Sequence, residues 1–303
     1  MINADLLFDL TLILLLLGLA VAAIHAPKLY TSIVMFIVFG LMLALTWARL
    51  GATDLALAEA GIGAGLIGVM LLSALGRCPP EPPSRSRPLQ HIASLMLAVL
   101  VLLLLTRAAI PLLDTPPLLP QQVAQELDNS GVSHPVTAVL LNFRAWDTLL
   151  ELVVLLLALL GVRQLRPSTG KRPQAWPLLV AWSRVIAPLV VMVGGYLLWS
   201  GSHAPGGAFQ AGVVLAAGVV TLRLSGLLPN IGWHQWPLRA LVLVGVALFS
   251  LVAATSAWLG EGWLVYPREW SGGLILSIEI AATLSIAAAL TLLVIGDTEE
   301  LAA

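Results

Sequence analysis

Charge is scarce in this chain: Asp, Glu, Lys and Arg make up 10% of its 303 residues, against about 25% in an ordinary soluble domain. So few charged groups exclude a soluble globular enzyme. Lys+Arg at 15 nearly cancel Asp+Glu at 16, so the basic field of a nucleic-acid binder is missing and nucleic acid is not expected as a partner. Cysteine is limited to Cys78, which excludes an internal disulfide and the several thiolates that hold an iron–sulfur cluster. The five histidines, His25, His91, His134, His203 and His234, are dispersed, with no pair at the i, i+3 or i+4 spacing that puts two metal ligands on one helix face. No phosphate loop of the GxxxxGK[ST] type is present. No cofactor and no metal are expected.

What is abundant is apolar: 59% of the residues are hydrophobic, and mean hydropathy is +0.97. A spanning helix takes about 20 apolar residues, so nine would need roughly 180, close to the hydrophobic share of the chain. The expectation is an all-α, polytopic membrane protein with spans at 6–24, 29–48, 54–75, 89–105, 146–162, 177–200, 207–224, 237–259 and 272–295. The chain opens Met1-Ile2-Asn3-Ala4-Asp5 without the basic region or cleavage site of a signal peptide, and its first apolar run reads as a span. Arg77, Arg85 and Arg87 follow span three, and Arg163, Arg166, Lys171 and Arg172 follow span five; both loops belong on the cytoplasmic side. That places the N-terminus outside and the C-terminus inside, with Arg49, Arg107, Arg144 and Arg268 external. The long segment between spans four and five, with Asp114, Glu126 and Asp128, reads as an acidic external loop. Trp47, Trp146, Trp176, Trp199, Trp236, Trp258 and Trp270 fall near span ends, as an interfacial belt does.

Two composition breaks, at 77–88 and 164–177, divide the chain into blocks of three, two and four spans. No internal repeat stands out between the blocks, so a self-sufficient carrier built on inverted repeats is not supported.

Ionisable residues inside spans are candidates for an ion or proton path. Asp54 lies at the outer end of span three, where it either caps the helix or faces the path. Glu59 lies over one turn deeper, followed by Gly61, Gly65 and Gly68 at i, i+4 and i+7, a small-residue stripe that permits close helix approach. Packing there would set Glu59 in protein, where it either exchanges protons or hydrogen-bonds a neighbouring helix. Asp147 and Glu151 are four residues apart and share a helix face, with Arg144 available as a salt-bridge partner. Glu279 sits in the last span among Ser277, Thr283 and Ser285. Between spans six and seven, the stretch from Gly201 to Gly212 cannot be one continuous helix: Pro205 removes a donor, and Gly206-Gly207 admit positive φ. A tight hairpin accounts for Pro205, Gly206 and Gly207 but leaves His203 and Gln210 over, and His203 could relay protons.

Three stretches, one per block, resemble one family. DLALAEAGIGAGL at 54–66 resembles the MbhD-type segment of membrane-bound hydrogenases, also found in the C-terminal part of the MrpA antiporter protein. Residues 137–162 resemble the MbhE-type segment that follows it, whose core is Asp-Phe-Arg-Gly-Phe-Asp-Thr. Phe143, Arg144, Asp147, Thr148 and Glu151 match, whereas Asn142, Ala145 and Trp146 depart. Residues 201–212 are similar to the Gly-His-Asn-Ala-Pro-Gly-Gly-Gly-Phe motif of the MrpB (MnhB) family, with Ser202-His203 transposed and Ala208 replacing a glycine. The resemblance implies a fused Mrp-type subunit with an MbhD-like three-span module at 1–88, an MbhE-like two-span module at 89–165, and an MnhB-like four-span domain at 166–303.

It further implies a π-bulge near the glycines after Glu59. The implied function is that of a membrane subunit of a multisubunit sodium/proton antiporter in the bacterial inner membrane. Its partners would be other membrane subunits, including a large antiporter-like one, together with Na+, H+ and the lipid bilayer. Such a subunit carries out no bond chemistry and is not an enzyme. The path candidates are Glu59, Glu151, Glu279, Asp54, Asp147 and His203. Two alternatives stay open: the ion-translocating arm of a hydrogenase or complex I-like redox complex, and a purely structural scaffold.

Overall fold

The computed structural model describes residues 4–76, 88–113, 118–164, 175–228, 232–259 and 262–296, and no strand occurs among them. Most of both composition breaks, with Cys78, Arg85, Arg87, Arg166, Lys171 and Arg172, and also Asp114, lies outside the described residues. The helices are α1 Ala4–His25, α2 Leu29–Arg49, α3 Thr53–Leu75, α4 Pro88–Leu113, α5 Leu118–Glu126, α6 Pro135–Ala138, α7 Ala145–Gln164, α8 Pro177–Ser200, α9 Ala208–Leu224, α10 Trp236–Trp258 and α11 Ser271–Ile295. Eight of them are long and apolar enough to cross a membrane. The expected seventh span is α9, with 17 residues; at 1.5 Å per residue it reaches about 26 Å, at the short end of the range for a spanning helix.

Proline sets several starts. Pro135, Pro177 and Pro237 occupy first-turn positions, where a missing N–H costs no helical bond. The core is built around α11, whose spanning segment is 67% buried and which packs against α7, α9 and α10. Lipid tails are as apolar as leucine, so these helices associate through close packing rather than through escape from water. Small residues make that packing possible. A Cβ at Gly245 of α10 would lie 2.8 Å from the Ser285 Cβ, and one at Gly212 of α9 would lie 2.7 Å from Ile286 Cγ2. Ser285 Oγ donates to the Val242 carbonyl at 2.5 Å, and Phe249 of α10 is fully buried.

The N-terminal helices form a flank. Arg49, at the end of α2, donates to Asp5 and Asp9 of α1 at 3.0 and 2.9 Å. Gly40 of α2 meets Ala64 of α3, where an added Cβ would stand 3.2 Å from the Ala64 Cβ. No residue of the spanning part of α4 is buried; it runs on to Leu113, past the end expected at 105. Trp176, Trp199, Trp236, Trp258 and Trp270 are exposed near helix ends. The segment expected as an external loop is instead largely folded: α5, a 3₁₀ turn Leu127–Asn129, then α6 running into a π turn Val139–Phe143. Its polar backbone finds partners against the rest of the chain, which hydropathy along the sequence does not report.

Candidate functional site

The turn from Gly201 to Gly207 folds back onto the end of α8. The Leu197 carbonyl accepts from the N–H groups of Gly201 (3.2 Å) and Gly207 (2.8 Å), and the Ser200 carbonyl from those of His203 (2.9 Å) and Ala204 (2.8 Å). Carbonyls that a helix end leaves open are thereby satisfied within the chain. Gly206 and Gly207 take φ +154° and +102°, so the glycines expected to permit the reversal do permit it.

A second element seals the turn. The N–H groups of Ser133 and His134 both donate to the Ser202 carbonyl at 3.0 Å, and Thr137 Oγ1 donates to the Gly201 carbonyl at 2.5 Å. A third element reaches it from α3. Asp54 Oδ1 accepts the Gly206 N–H at 3.1 Å, and Asp54 Oδ2 lies 2.9 Å from His134 Nε2. The Asp54 carbonyl accepts from Gln210 Nε2 at 3.4 Å. Asp54 does not cap its helix: the N-cap position is Ala52, with no side-chain bond. Lying inside the first turn, Asp54 turns its carboxylate toward the neighbouring segments. The Asp54 and His134 side chains are 14% and 13% exposed.

Glu279 approaches the same turn from the protein interior. It is 2% exposed. Its Oε1 stands 3.0 Å from where a Cβ on Gly201 would be and 3.1 Å from one on Gly207. Among the described residues, nothing hydrogen-bonds its Oε2. Thr283 Oγ1 donates to the Glu279 carbonyl at 2.7 Å. Asp54, Pro205, Gly206, Gly207 and Glu279, distant in sequence, are thus brought together at one end of the bundle.

Glu59 heads a π segment, Glu59–Leu66, at the place where the resemblance implies a π-bulge. The half-buried carboxylate folds over Gly63, where any side chain would overlap it. The wider π turn also breaks up the glycine stripe. Gly61 faces Val213 of α9, Gly65 faces the Ala60 carbonyl, and Gly68 faces Ile37 of α2. A stripe at i, i+4 and i+7 assumes an unbroken α-helical repeat, which this helix does not have. Beside Gly61 lies a cavity of about 280 Å³ between α3, α8 and α9, lined by Leu57, Ala58, Leu197, Phe209 and Gln210 among others. Glu59 is not part of its lining.

The remaining candidates lie apart from this cluster. Asp147 pairs with Arg144 at 2.6 Å and shares with Glu151 an open groove of about 540 Å³ on α7; Glu151 is exposed there. His203 is exposed, with its ring 5.1 Å from that of Trp199. The site also contains His134 and Thr137, which the sequence alone does not single out. The polar Ser-His-Pro run just before an apolar stretch is the available signal for them.

Comparison with known proteins matches two stretches of the chain. Residues 14–80 match the MbhD family, described as the D subunit of MBH. Residues 178–298 match the family described as a domain related to the MnhB subunit of Na+/H+ antiporter. No curated protein matches. Among solved structures, a chain of the Mrp complex from Dietzia sp. DQ12-45-1b is similar, with a TM-score of 0.77 at 22% identity over 95% of this chain. At that identity the likeness is one of fold, and this chain spans 35% of the length of that one.

Proposed function

We propose that this chain, which joins an MbhD module to an MnhB-related domain and so is a fused subunit of the Mrp antiporter type, serves as a membrane subunit of a cation/proton antiporter complex. It contributes to the path of H+ or Na+ and to assembly with other membrane subunits, a large antiporter-like one among them. We read the modules as 1–88, 89–165 and 166–303, with the N-terminus outside and the C-terminus inside a bacterial inner membrane. The carrying observation is the convergence of Asp54 and the buried Glu279 on the turn at Gly206-Gly207. Carboxyl groups are costly at membrane depth and are kept where ions or protons pass. Glu59, at the head of the π segment, supplies a third carboxyl in the same bundle, while Asp147, Glu151 and His203 stand at its periphery.

The test is antiport in everted vesicles carrying the complete complex. Glu59→Gln and Glu279→Gln should leave assembly intact and abolish sodium-dependent proton movement. Normal transport by both variants, and by Glu151→Gln, would favour a scaffold instead. Co-purification of soluble subunits bearing iron–sulfur or nickel centres would favour the arm of a redox-driven pump.

A further inference from the structure

We propose that His134 is a proton-transfer residue, loading and unloading the Asp54 carboxylate at the outer mouth of the path. The proposal rests on the function argued above and adds to it a residue and a step. The ring is not needed to seat its own segment. The Ser133 and His134 amides on the Ser202 carbonyl, with Thr137 on the Gly201 carbonyl, already hold residues 133–137 on the turn. The imidazole is instead spent on Asp54, 2.9 Å from Nε2 to Oδ2. Both side chains keep a sliver of exposure, 13% and 14%, and in the proposal this edge of an otherwise enclosed pair is the one that meets water. An arginine would make a permanent bridge here; histidine is the side chain whose ordinary titration falls between pH 5 and 8.

The surroundings leave the pair to itself. From α9, Gln210 bonds the Asp54 backbone rather than its carboxylate. In the turn, His203 is exposed against Trp199. On α2, Arg49 is paired with Asp5 and Asp9, and on α7 Asp147 is paired with Arg144. From α11, Glu279 lies behind Gly201 and Gly207, buried, with Oε2 unpartnered among the described residues. Asp54 accepts the Gly206 N–H, and Glu279 Oε1 lies against Gly201 and Gly207, where there is no side chain. A proton placed on Asp54 therefore sits at a turn that a buried carboxyl also adjoins.

The step balances with a solvated proton. His134 takes a proton at Nδ1 from hydronium, which leaves as water, and the Nε2 proton passes to Asp54 Oδ2, giving a neutral ring and a carboxylic acid. The ring regains its starting tautomer by exchange with water. Export runs the same steps in reverse.

The experiment uses the whole complex in everted vesicles, with a fluorescent dye reporting the sodium-driven pH gradient. His134→Gln keeps a donor for Asp54 but cannot carry the proton. It should assemble, lower exchange about tenfold or more, and flatten the dependence of rate on pH between about 6 and 8. His134→Ala should be slowed likewise and be partly restored by added imidazole. A normal rate and pH profile in His134→Gln would overturn the proposal, as would a slow rate with an unchanged profile and no restoration by imidazole. Failure of both variants to assemble would assign the ring a structural role and also overturn it. Glu59→Gln and Glu279→Gln are run alongside. If they stop transport while His134→Gln does not, only this proposal falls; if they too are normal, the antiport path itself falls.

Discussion

Adding one methyl group at Gly207 should do disproportionate damage. Its backbone lies at φ +102° and ψ −169°, a region that residues with a Cβ occupy only at a cost of about 1–3 kcal/mol. The new carbon would also stand 3.1 Å from Glu279 Oε1, which must yield by a few tenths of an ångström, adding up to about 1 kcal/mol. Gly195 provides the control. It lies within α8 with nothing within 4 Å of an added Cβ, so alanine there should stabilise by about 0.4–1 kcal/mol through the unfolded chain. The same chemical change at two sites twelve residues apart should therefore differ by about 1.4 kcal/mol or more, at least a tenfold difference in the unfolding equilibrium. Titration of the purified protein with SDS in mixed micelles, followed by tryptophan fluorescence, would show Gly207→Ala unfolding at a lower SDS fraction and Gly195→Ala at a higher one. Equal midpoints, or a gain at Gly207, would refute the account of the turn.

Other outcomes follow from the packing. Gly40→Ala brings a carbon to 3.2 Å from the Ala64 Cβ and 3.3 Å from backbone atoms that cannot turn aside. It should loosen α2 from α3 and lower stability by about 1–2 kcal/mol in the same titration. Phe249→Ala empties a fully buried site and should cost about 3 kcal/mol or more; a loss under about 1 kcal/mol would mean that the site collapses freely. Tyr266, in the loop before α11, has a buried hydroxyl with no hydrogen-bond partner among the described residues, and burial pushes its phenol above the ordinary value. The folded chain then keeps a proton that the unfolded chain releases above about pH 10, so stability is level below that pH and falls as pH rises beyond it. Tyr266→Phe should flatten that alkaline fall and gain about 1 kcal/mol at neutral pH, read as unfolding midpoints between about pH 8 and 11.

Local signals in the sequence carry much of the fold. Leucine-rich runs of span length, proline at helix starts and the Pro205-Gly206-Gly207 turn each report on a few neighbouring residues, and each has its counterpart among the helices. The Ser-His-Pro run marks His134 only as polar; its partner Asp54 is 80 residues away, and no periodicity links residues so far apart. The segment around it reads as a loop because its order comes from the Ser202 and Gly201 carbonyls, which belong to another part of the chain. Glu279 is visible as a charge in an apolar run; that it faces the back of Gly201 and Gly207 is not.

The π segment of α3 has a consequence for register. Near its start Gly61 is keyed to Val213 of α9, and just beyond its end Gly68 is keyed to Ile37 of α2. Each π bond skips one more residue than an α bond does, so the segment acts as slack between two halves that fit different neighbours. Were the slack drawn out into a straight α-helix, everything below it would rotate by about 100° for each residue gained, and only one of the two halves could stay in its socket.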